Sequence, residues 1–154
     1  MKFMFDDDYL YISAHIRDDV FFQPAVGGGT WIGDGFQFSF GVNGDYVYEM
    51  MASLTSEGPQ LYMGGRHDNV GFVKGAKIAV KRYARYADYE IALPWNQIKP
   101  LTPSDGKIKM NFILNDNDGA GRVGYLECKP GIGKGKFMSQ SYSWPLVEQT
   151  QGEN

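Results

Sequence analysis

The sequence has little of several things on which large classes of proteins depend. A single cysteine, Cys128, among 154 residues excludes an internal disulfide, and two histidines far apart in the sequence argue against a zinc site. No apolar run approaches the length of a membrane span, and the apolar residues 1–5 are too short for a signal peptide. The formal charge of −3 argues against a nucleic-acid or anionic-membrane partner, which would require a basic patch.

Catalytic motifs are also missing. The sequence contains no glycine-rich phosphate loop, no nucleophile elbow and no outstanding grouping of Ser, His and Asp. Many Asp and Glu residues are present, but nothing in their spacing marks a pair for glycoside hydrolysis.

Aromatic residues and glycine are abundant, at 15% aromatics and 20 glycines. Phe36, Phe38 and Phe40 alternate with other residues, which is typical of a half-buried strand. We predict an all-β fold, an antiparallel β-sandwich of the jelly-roll or immunoglobulin-like kind with about ten short strands and minimal helix. It forms one domain over residues 1–148, followed by a polar tail at 149–154. The predicted strands are 3–5, 9–17, 35–42, 46–54, 60–63, 70–73, 76–83, 86–93, 107–114, 122–127 and 143–147.

A dense run of oxygen ligands, Asn115-Asp-Asn-Asp-Gly119, follows the apolar segment that ends at Leu114. We predict that it forms a polar loop at the end of a strand, where Asp and Asn oxygens suit a hard cation such as calcium. An Asx turn, in which the same side chains accept local N–H groups, is the alternative. The predicted metal ligands are Asp116, Asp118 and Asn117, with Asp18 and Asp19 as further loop carboxylates.

Several motifs in order make the chain resemble carbohydrate-binding module family 9 and the wider DOMON-like group of β-sandwiches. The resemblance covers most of residues 6–147. It implies a non-catalytic module that binds plant-type polysaccharide or oligosaccharide, such as cellulose or xylan, and that is stabilised by calcium. The motifs are Leu10-Tyr-Ile12 with Asp18-Asp19, Trp31-Ile-Gly-Asp34, Tyr89-Glu-Ile-Ala-Leu-Pro-Trp95, Asn115-Asp-Asn-Asp-Gly119 with Arg122, and Gly131-Ile-Gly-Lys-Gly-Lys136.

The resemblance also implies a place for this domain in a larger protein. Family members are appended to secreted glycoside hydrolases such as xylanases or glucanases. We therefore expect a covalently linked catalytic domain and an extracellular location for the full-length protein.

Candidate ligand residues follow from how sugars are bound, by C–H faces laid on aromatic rings and by hydrogen bonds to hydroxyl groups. Trp31, in a glycine-rich loop, either stacks on a sugar or closes one end of the sandwich, whereas Trp95 is expected in the core. Tyr125-Leu-Glu-Cys128 occupies the place where well-known family members have a second Trp of a two-Trp clamp, and Tyr62 is a possible extension of the ring platform. The predicted carbohydrate-binding residues are Trp31, Tyr125, Arg66, His67, Asn69, Glu127 and Arg122.

Two alternatives from other classes remain open at this point. One is a DOMON-like redox module that carries haem between a methionine and a histidine, with Met63 and His67, or His15, as candidates. The other is a polysaccharide-active hydrolase or lyase.

Overall fold

The computed structural model describes residues 1–42, 45–64, 70–133 and 142–145 of the chain, and within them eleven strands form two antiparallel sheets. The strands are β1 (Lys2–Phe5), β2 (Tyr9–Arg17), β3 (Gly35–Val42), β4 (Asp45–Thr55), β5 (Gly58–Gly64), β6 (Gly71–Phe72), β7 (Lys77–Arg82), β8 (Tyr86–Pro94), β9 (Lys107–Asn117), β10 (Arg122–Glu127) and β11 (Tyr142–Pro145). The helical segments are 3₁₀ turns at Gly27–Ile32, Trp95–Gln97 and Pro103–Asp105. Among the described residues, no helix is long and apolar enough to cross a membrane.

The two sheets confirm the predicted antiparallel β-sandwich. The smaller sheet has the strand order β1-β2-β8-β7. The larger sheet has seven strands. Six of them follow the order β10-β9-β3-β4-β5-β6, and the seventh, β11, also pairs with β9. Both β10 and β11 pair with β9, but with different parts of it, 113–117 and 107–110 respectively.

The core lies between the sheets and is built from alternate residues of the strands. The predicted alternation of Phe36, Phe38 and Phe40 is confirmed: all three rings are buried, and their neighbouring centroids are 5.1 and 5.5 Å apart. They pack with residues from the other sheet such as Leu10 and Ile91. Trp95 is buried as predicted, and its indole Nε1 donates to the carbonyl oxygen of Asp6. Burial of these side chains supplies the main driving force for the sandwich.

The outward face of the seven-stranded sheet is unusual because it is polar yet largely buried. Many residues that alternate with the core residues on β3, β4 and β9 carry amide, hydroxyl or carboxylate groups, although Met51 and Ile113 on the same face are apolar. Buried polar groups require hydrogen-bond partners, so this face must be covered by segments that provide them. These residues are Gln37, Ser39, Glu49, Ser53, Asn111, Asn115 and Asn117.

The prediction that Asn115–Asp118 forms a loop after a strand ending at Leu114 is wrong, because β9 continues to Asn117. Asn115 pairs with Tyr125 and Asn117 with Arg122 across β10. The amides of Asn115 and Asn117 are buried on the outward face, where they make hydrogen bonds that stabilise the longer strand. Intrinsic strand propensity, which is low for Asn and Asp, is overridden here by these tertiary contacts.

Asp34 anchors the long connection between β2 and β3, which carries Trp31. Its two carboxylate oxygens accept hydrogen bonds from the backbone N–H of Phe22, at 2.5 Å, and of Asn117, at 2.8 Å. Gln23 adds to this anchor by donating to the carbonyl oxygens of Thr30 and Asp34. Burial raises the pKa of Asp34 to about 6, although the two backbone donors oppose this effect. The carboxylate thereby fixes the 3₁₀ turn that bears Trp31 to the end of β9.

We expect Asp34→Ala to lower the free energy of unfolding by about 2–4 kcal/mol, because one buried and one partly buried N–H group lose their acceptors. Urea unfolding at pH 7 in the presence of EDTA measures the change without a contribution from bound cations. Asp7→Ala, which removes an exposed carboxylate, is the matched control and should change stability by less than about 0.5 kcal/mol. Equal stabilities of the two variants would contradict the anchoring role.

Candidate functional site

A cleft of about 550 Å³ opens on the outward face of the seven-stranded sheet. The strands β3, β4, β5 and β9 supply its floor, the 3₁₀ turn Gly27–Ile32 supplies one wall, and residues of β10 and the segment after it supply the other. This volume is within the range of small-molecule sites. The lining residues are Gly28, Trp31, Gln37, Glu49, Met51, Tyr62, Gly64, Val70, Ile113, Arg122, Ile132 and Gly133.

Three of the predicted ligand residues, Trp31, Arg122 and Tyr125, are brought together at one end of the cleft. The guanidinium carbon of Arg122 lies 5.6 Å from the ring centroid of Trp31 and 4.8 Å from that of Tyr125. Gly133 packs closely on the same tyrosine, since a Cβ added at Gly133 would lie 2.6 Å from its ring atoms. Tyr125 therefore contacts both Arg122 and the Gly133 backbone. Trp31 is 46% exposed, which leaves much of its indole available at the mouth of the cleft.

A directional chain of hydrogen bonds runs from Arg122 through the floor of the cleft to Glu49. Arg122 Nη2 donates to Asn115 Oδ1 at 2.5 Å, and Asn115 Nδ2 donates to Gln37 Oε1 at 3.3 Å. Gln37 Nε2 in turn donates to Glu49 Oε1. Because a guanidinium only donates and a carboxylate only accepts, the two ends determine the orientation of both amides. The chain thus presents Arg122, Gln37 and Glu49 in fixed orientations to whatever occupies the cleft.

Arg122 retains hydrogen-bonding capacity beyond this chain. Its Nε atom is buried, and within the part of the chain that the structure describes no group accepts a hydrogen bond from it. Buried donors are normally paired, so this atom is a candidate contact for a bound acceptor.

Glu127 holds the segment that follows β10. Its Oε1 atom accepts hydrogen bonds from the backbone N–H of Ile132, at 2.5 Å, and of Gly133, at 3.0 Å. Asn111 supports the same segment from β9, because its amide donates to the Lys129 carbonyl oxygen and accepts from the Lys129 N–H. Glu127 therefore shapes the wall of the cleft through the backbone it binds.

The other predicted ligand residues, Arg66, His67 and Asn69, lie outside the described residues. Their predicted role stays a prediction.

The predicted metal ligands do not all come together. Asp18 and Asp116 line one cavity of about 370 Å³ near Tyr125, and Asp19 and Asp118 do not; Asp19, Asp116 and Asp118 are all exposed. The side chain of Asn117 has its own partners: Nδ2 donates to the Ile32 carbonyl oxygen and Oδ1 accepts from the Gly119 N–H, as in an Asx turn. Among the described residues, no group of three or more His, Cys, Asp or Glu side chains is arranged to hold a metal ion.

Asp18 is a partly buried carboxylate at the cavity that it lines with Asp116. Burial raises the pKa of Asp18, and the neighbouring Asp116 adds to the effect, whereas Arg82 opposes it. The Arg82 Nη2 atom lies 3.9 Å from Asp18 Oδ2. Asp34 lines the same cavity, but both of its carboxylate oxygens accept hydrogen bonds from backbone N–H groups.

The described histidine and methionine candidates for a haem are far apart in the fold. Met63 is buried in the core between the sheets, whereas His15 is exposed on the small sheet, where its Nδ1 lies 2.6 Å from Asp88 Oδ1. These two side chains do not face one pocket.

Sequence reasoning missed the polar floor of the cleft, in particular Gln37 and Glu49. A signal was present, because Gln37 and Ser39 stand between phenylalanines of a strand whose other face is fully apolar. Their burial was not predictable, because it results from the wall segments that cover this face.

No protein-family model matches the chain, and no curated protein matches it significantly. The chain is similar to solved structures that include family 9 carbohydrate-binding modules from Caldicellulosiruptor kristjanssonii. The one in complex with cellotriose has a TM-score of 0.69 and 16% identity, over 97% of this chain and 74% of that chain. The one in complex with glucose has a TM-score of 0.70 and 16% identity, over 99% of this chain and 78% of that chain. This chain therefore has the β-sandwich fold of the family 9 carbohydrate-binding modules.

Proposed function

We propose that the chain is a non-catalytic carbohydrate-binding module whose cleft binds a neutral saccharide of the plant-polysaccharide type. The observation that carries the proposal is the polar, hydrogen-bonded floor of the cleft beneath the exposed indole of Trp31. The similar solved structures are complexes with cellotriose and glucose, which supports this class of ligand.

The chemistry of the cleft suits hydroxyl groups. Arg122 offers donors, Glu49 offers an acceptor, and Gln37 offers both kinds of group along one floor. Among the described lining residues, Arg122 and Glu49 are the charged ones, so their formal charges cancel. A neutral polyol satisfies such a set, because each hydroxyl both donates and accepts a hydrogen bond.

Trp31 supplies the apolar part of the recognition. A pyranose ring laid on the exposed indole buries its C–H face, and such a ring contact contributes on the order of 1 kcal/mol. The neighbouring Arg122 guanidinium holds the indole in position from one side.

The arrangement of carboxylates favours binding over hydrolysis. Glycosidases use two carboxyl groups that flank the scissile bond. Among the described residues that line the cleft, Glu49 is the one carboxylate, and it is already engaged by Gln37.

We further propose that the module belongs to a secreted chain with a linked glycoside hydrolase, and that cellulose or xylan is its polymer. Binding would raise the effective concentration of the enzyme at its substrate without any new catalytic contact. Calcium is part of the same proposal: Asp18 and Asp116, which line one cavity, are the proposed ligands, whereas the side chain of Asn117 is occupied by its own partners. When bound, the ion would neutralise these carboxylates and stabilise the β2–β3 connection.

Trp31→Ala is expected to weaken retention by cello-oligosaccharide or soluble glucan in affinity electrophoresis about three- to tenfold, because the stacking face is removed. The melting temperature should change little, since Trp31 is exposed. Phe22→Ala, which removes another exposed ring outside the cleft lining, should retain wild-type binding. Unchanged retention by Trp31→Ala would place the binding face elsewhere.

EDTA should lower the melting temperature by about 2–4 °C for each kcal/mol that a bound calcium ion contributes, and added calcium should restore it. Asp116→Asn should abolish this response, whereas Asp118→Asn should preserve it, because Asp116 and not Asp118 lines the cavity. If neither EDTA nor added calcium changes the melting temperature of the wild-type protein, the calcium proposal is refuted.

A further inference from the structure

An exposed aromatic ring stands at the β6 side of the cleft, away from the stack of Trp31 and Arg122. Phe72 is 60% exposed, more than any other phenylalanine for which exposure is described. It pairs with Tyr62 across β5 and β6, so the two side chains share one face of the sheet. Because Tyr62 lines the cleft, Phe72 lies on the same outward face.

The backbone at Phe72 is well fixed although the strand is short. Gly71 pairs with Met63, and the N–H of Val73 donates to the Leu61 carbonyl oxygen at 3.1 Å. The side chain of Val73 packs against the core. Neighbouring side chains in an extended segment point to opposite sides, so Phe72 is held outward while Val73 points inward.

Phe72 and Tyr62 form a continuous apolar platform with the 3₁₀ turn. The two ring centroids are 5.4 Å apart in an edge-to-face arrangement. A Cβ added at Gly27 would lie 3.4 Å from Tyr62 Cε2 and 3.9 Å from Phe72 Cζ, so both rings contact the start of the turn. Val70, also exposed, continues this platform along the rim.

Trp31 lies at the other end of the same turn. Gly27 and Trp31 are four residues apart, and a 3₁₀ helix rises about 2 Å per residue, so the two ends are separated by about 8 Å. That separation exceeds one pyranose ring. The floor of the same cleft carries Gln37, Glu49 and Met51. One sugar unit can therefore stack on Trp31 while the next unit reaches the Phe72 platform.

We infer that Phe72, supported by Tyr62, forms a second sugar-stacking subsite, so that the ligand is an oligosaccharide of two or more units and not a monosaccharide. This inference rests on the proposed function and specifies its substrate. The exposed position of a large apolar ring beside a polar cleft is what a stacking contact requires.

Calorimetric titration with glucose and with cellotriose tests the inference. Wild-type protein should bind cellotriose about three- to tenfold more tightly than glucose, because the longer ligand reaches the second ring. Phe72→Ala should remove this preference and leave the affinity for glucose within about twofold of wild type. Retained glucose binding also shows that the variant is folded.

Two further variants complete the test. Phe72→Trp, which keeps a flat ring, should preserve the preference for cellotriose, and Phe22→Ala, the exposed-ring control, should behave as wild type. A cellotriose preference that persists in Phe72→Ala, equal wild-type affinities for the two sugars, or a loss of glucose binding in Phe72→Ala would each overturn the inference while leaving the proposed function standing. Wild-type protein that binds neither sugar would overturn both.

Discussion

The hydrogen-bond chain from Arg122 through Asn115 and Gln37 to Glu49 is the constraint on which the site depends. It joins a buried donor-only group to a buried acceptor-only group through two amides, so each member has one orientation that satisfies the next. Removal of any member would leave a buried polar group unpaired, which costs more than the net strength of one hydrogen bond. The chain crosses β10, β9, β3 and β4, so it also ties the floor of the cleft to the sheet that carries it.

The two faces of the seven-stranded sheet have different roles. Successive side chains of a strand point to opposite faces, so each strand contributes residues to both. The inward face is apolar and supplies the core with Phe36, Phe38 and Phe40. The outward face is polar and anchors the segments that wall the cleft. Gln60 accepts from the Gly27 N–H at one wall, and Asn111 and Glu127 bind the backbone at the other. The side chains that line the cleft are therefore themselves held by a rigid sheet, which favours a pre-formed site.

Much of the fold was predictable because the alternation of apolar residues is local. The predicted bounds of β2, β3 and β10 agree with the structure, and the buried position of Trp95 was also predicted. The end of β9 was not predicted correctly. Asn115 and Asn117 favour turns by propensity, but hydrogen-bond partners from other segments keep them in the strand. Of the predicted ligand residues, Trp31, Tyr125 and Arg122 do come together, whereas the positions of Gln37 in the cleft floor and of Phe72 beside it were missed.

By itself, the sequence determined the fold class and the residues available for ligand contact, because strand periodicity and residue chemistry are properties of short segments. Only the tertiary structure decided which of those residues share a surface. Strand order places β10 beside β9 and β6 beside β5, and two loops then cover a polar face that would otherwise be open to solvent. Burial is a property of that assembly, so whether an amide such as Gln37 is an ordinary surface group or part of a binding floor cannot be read from its neighbours in the chain.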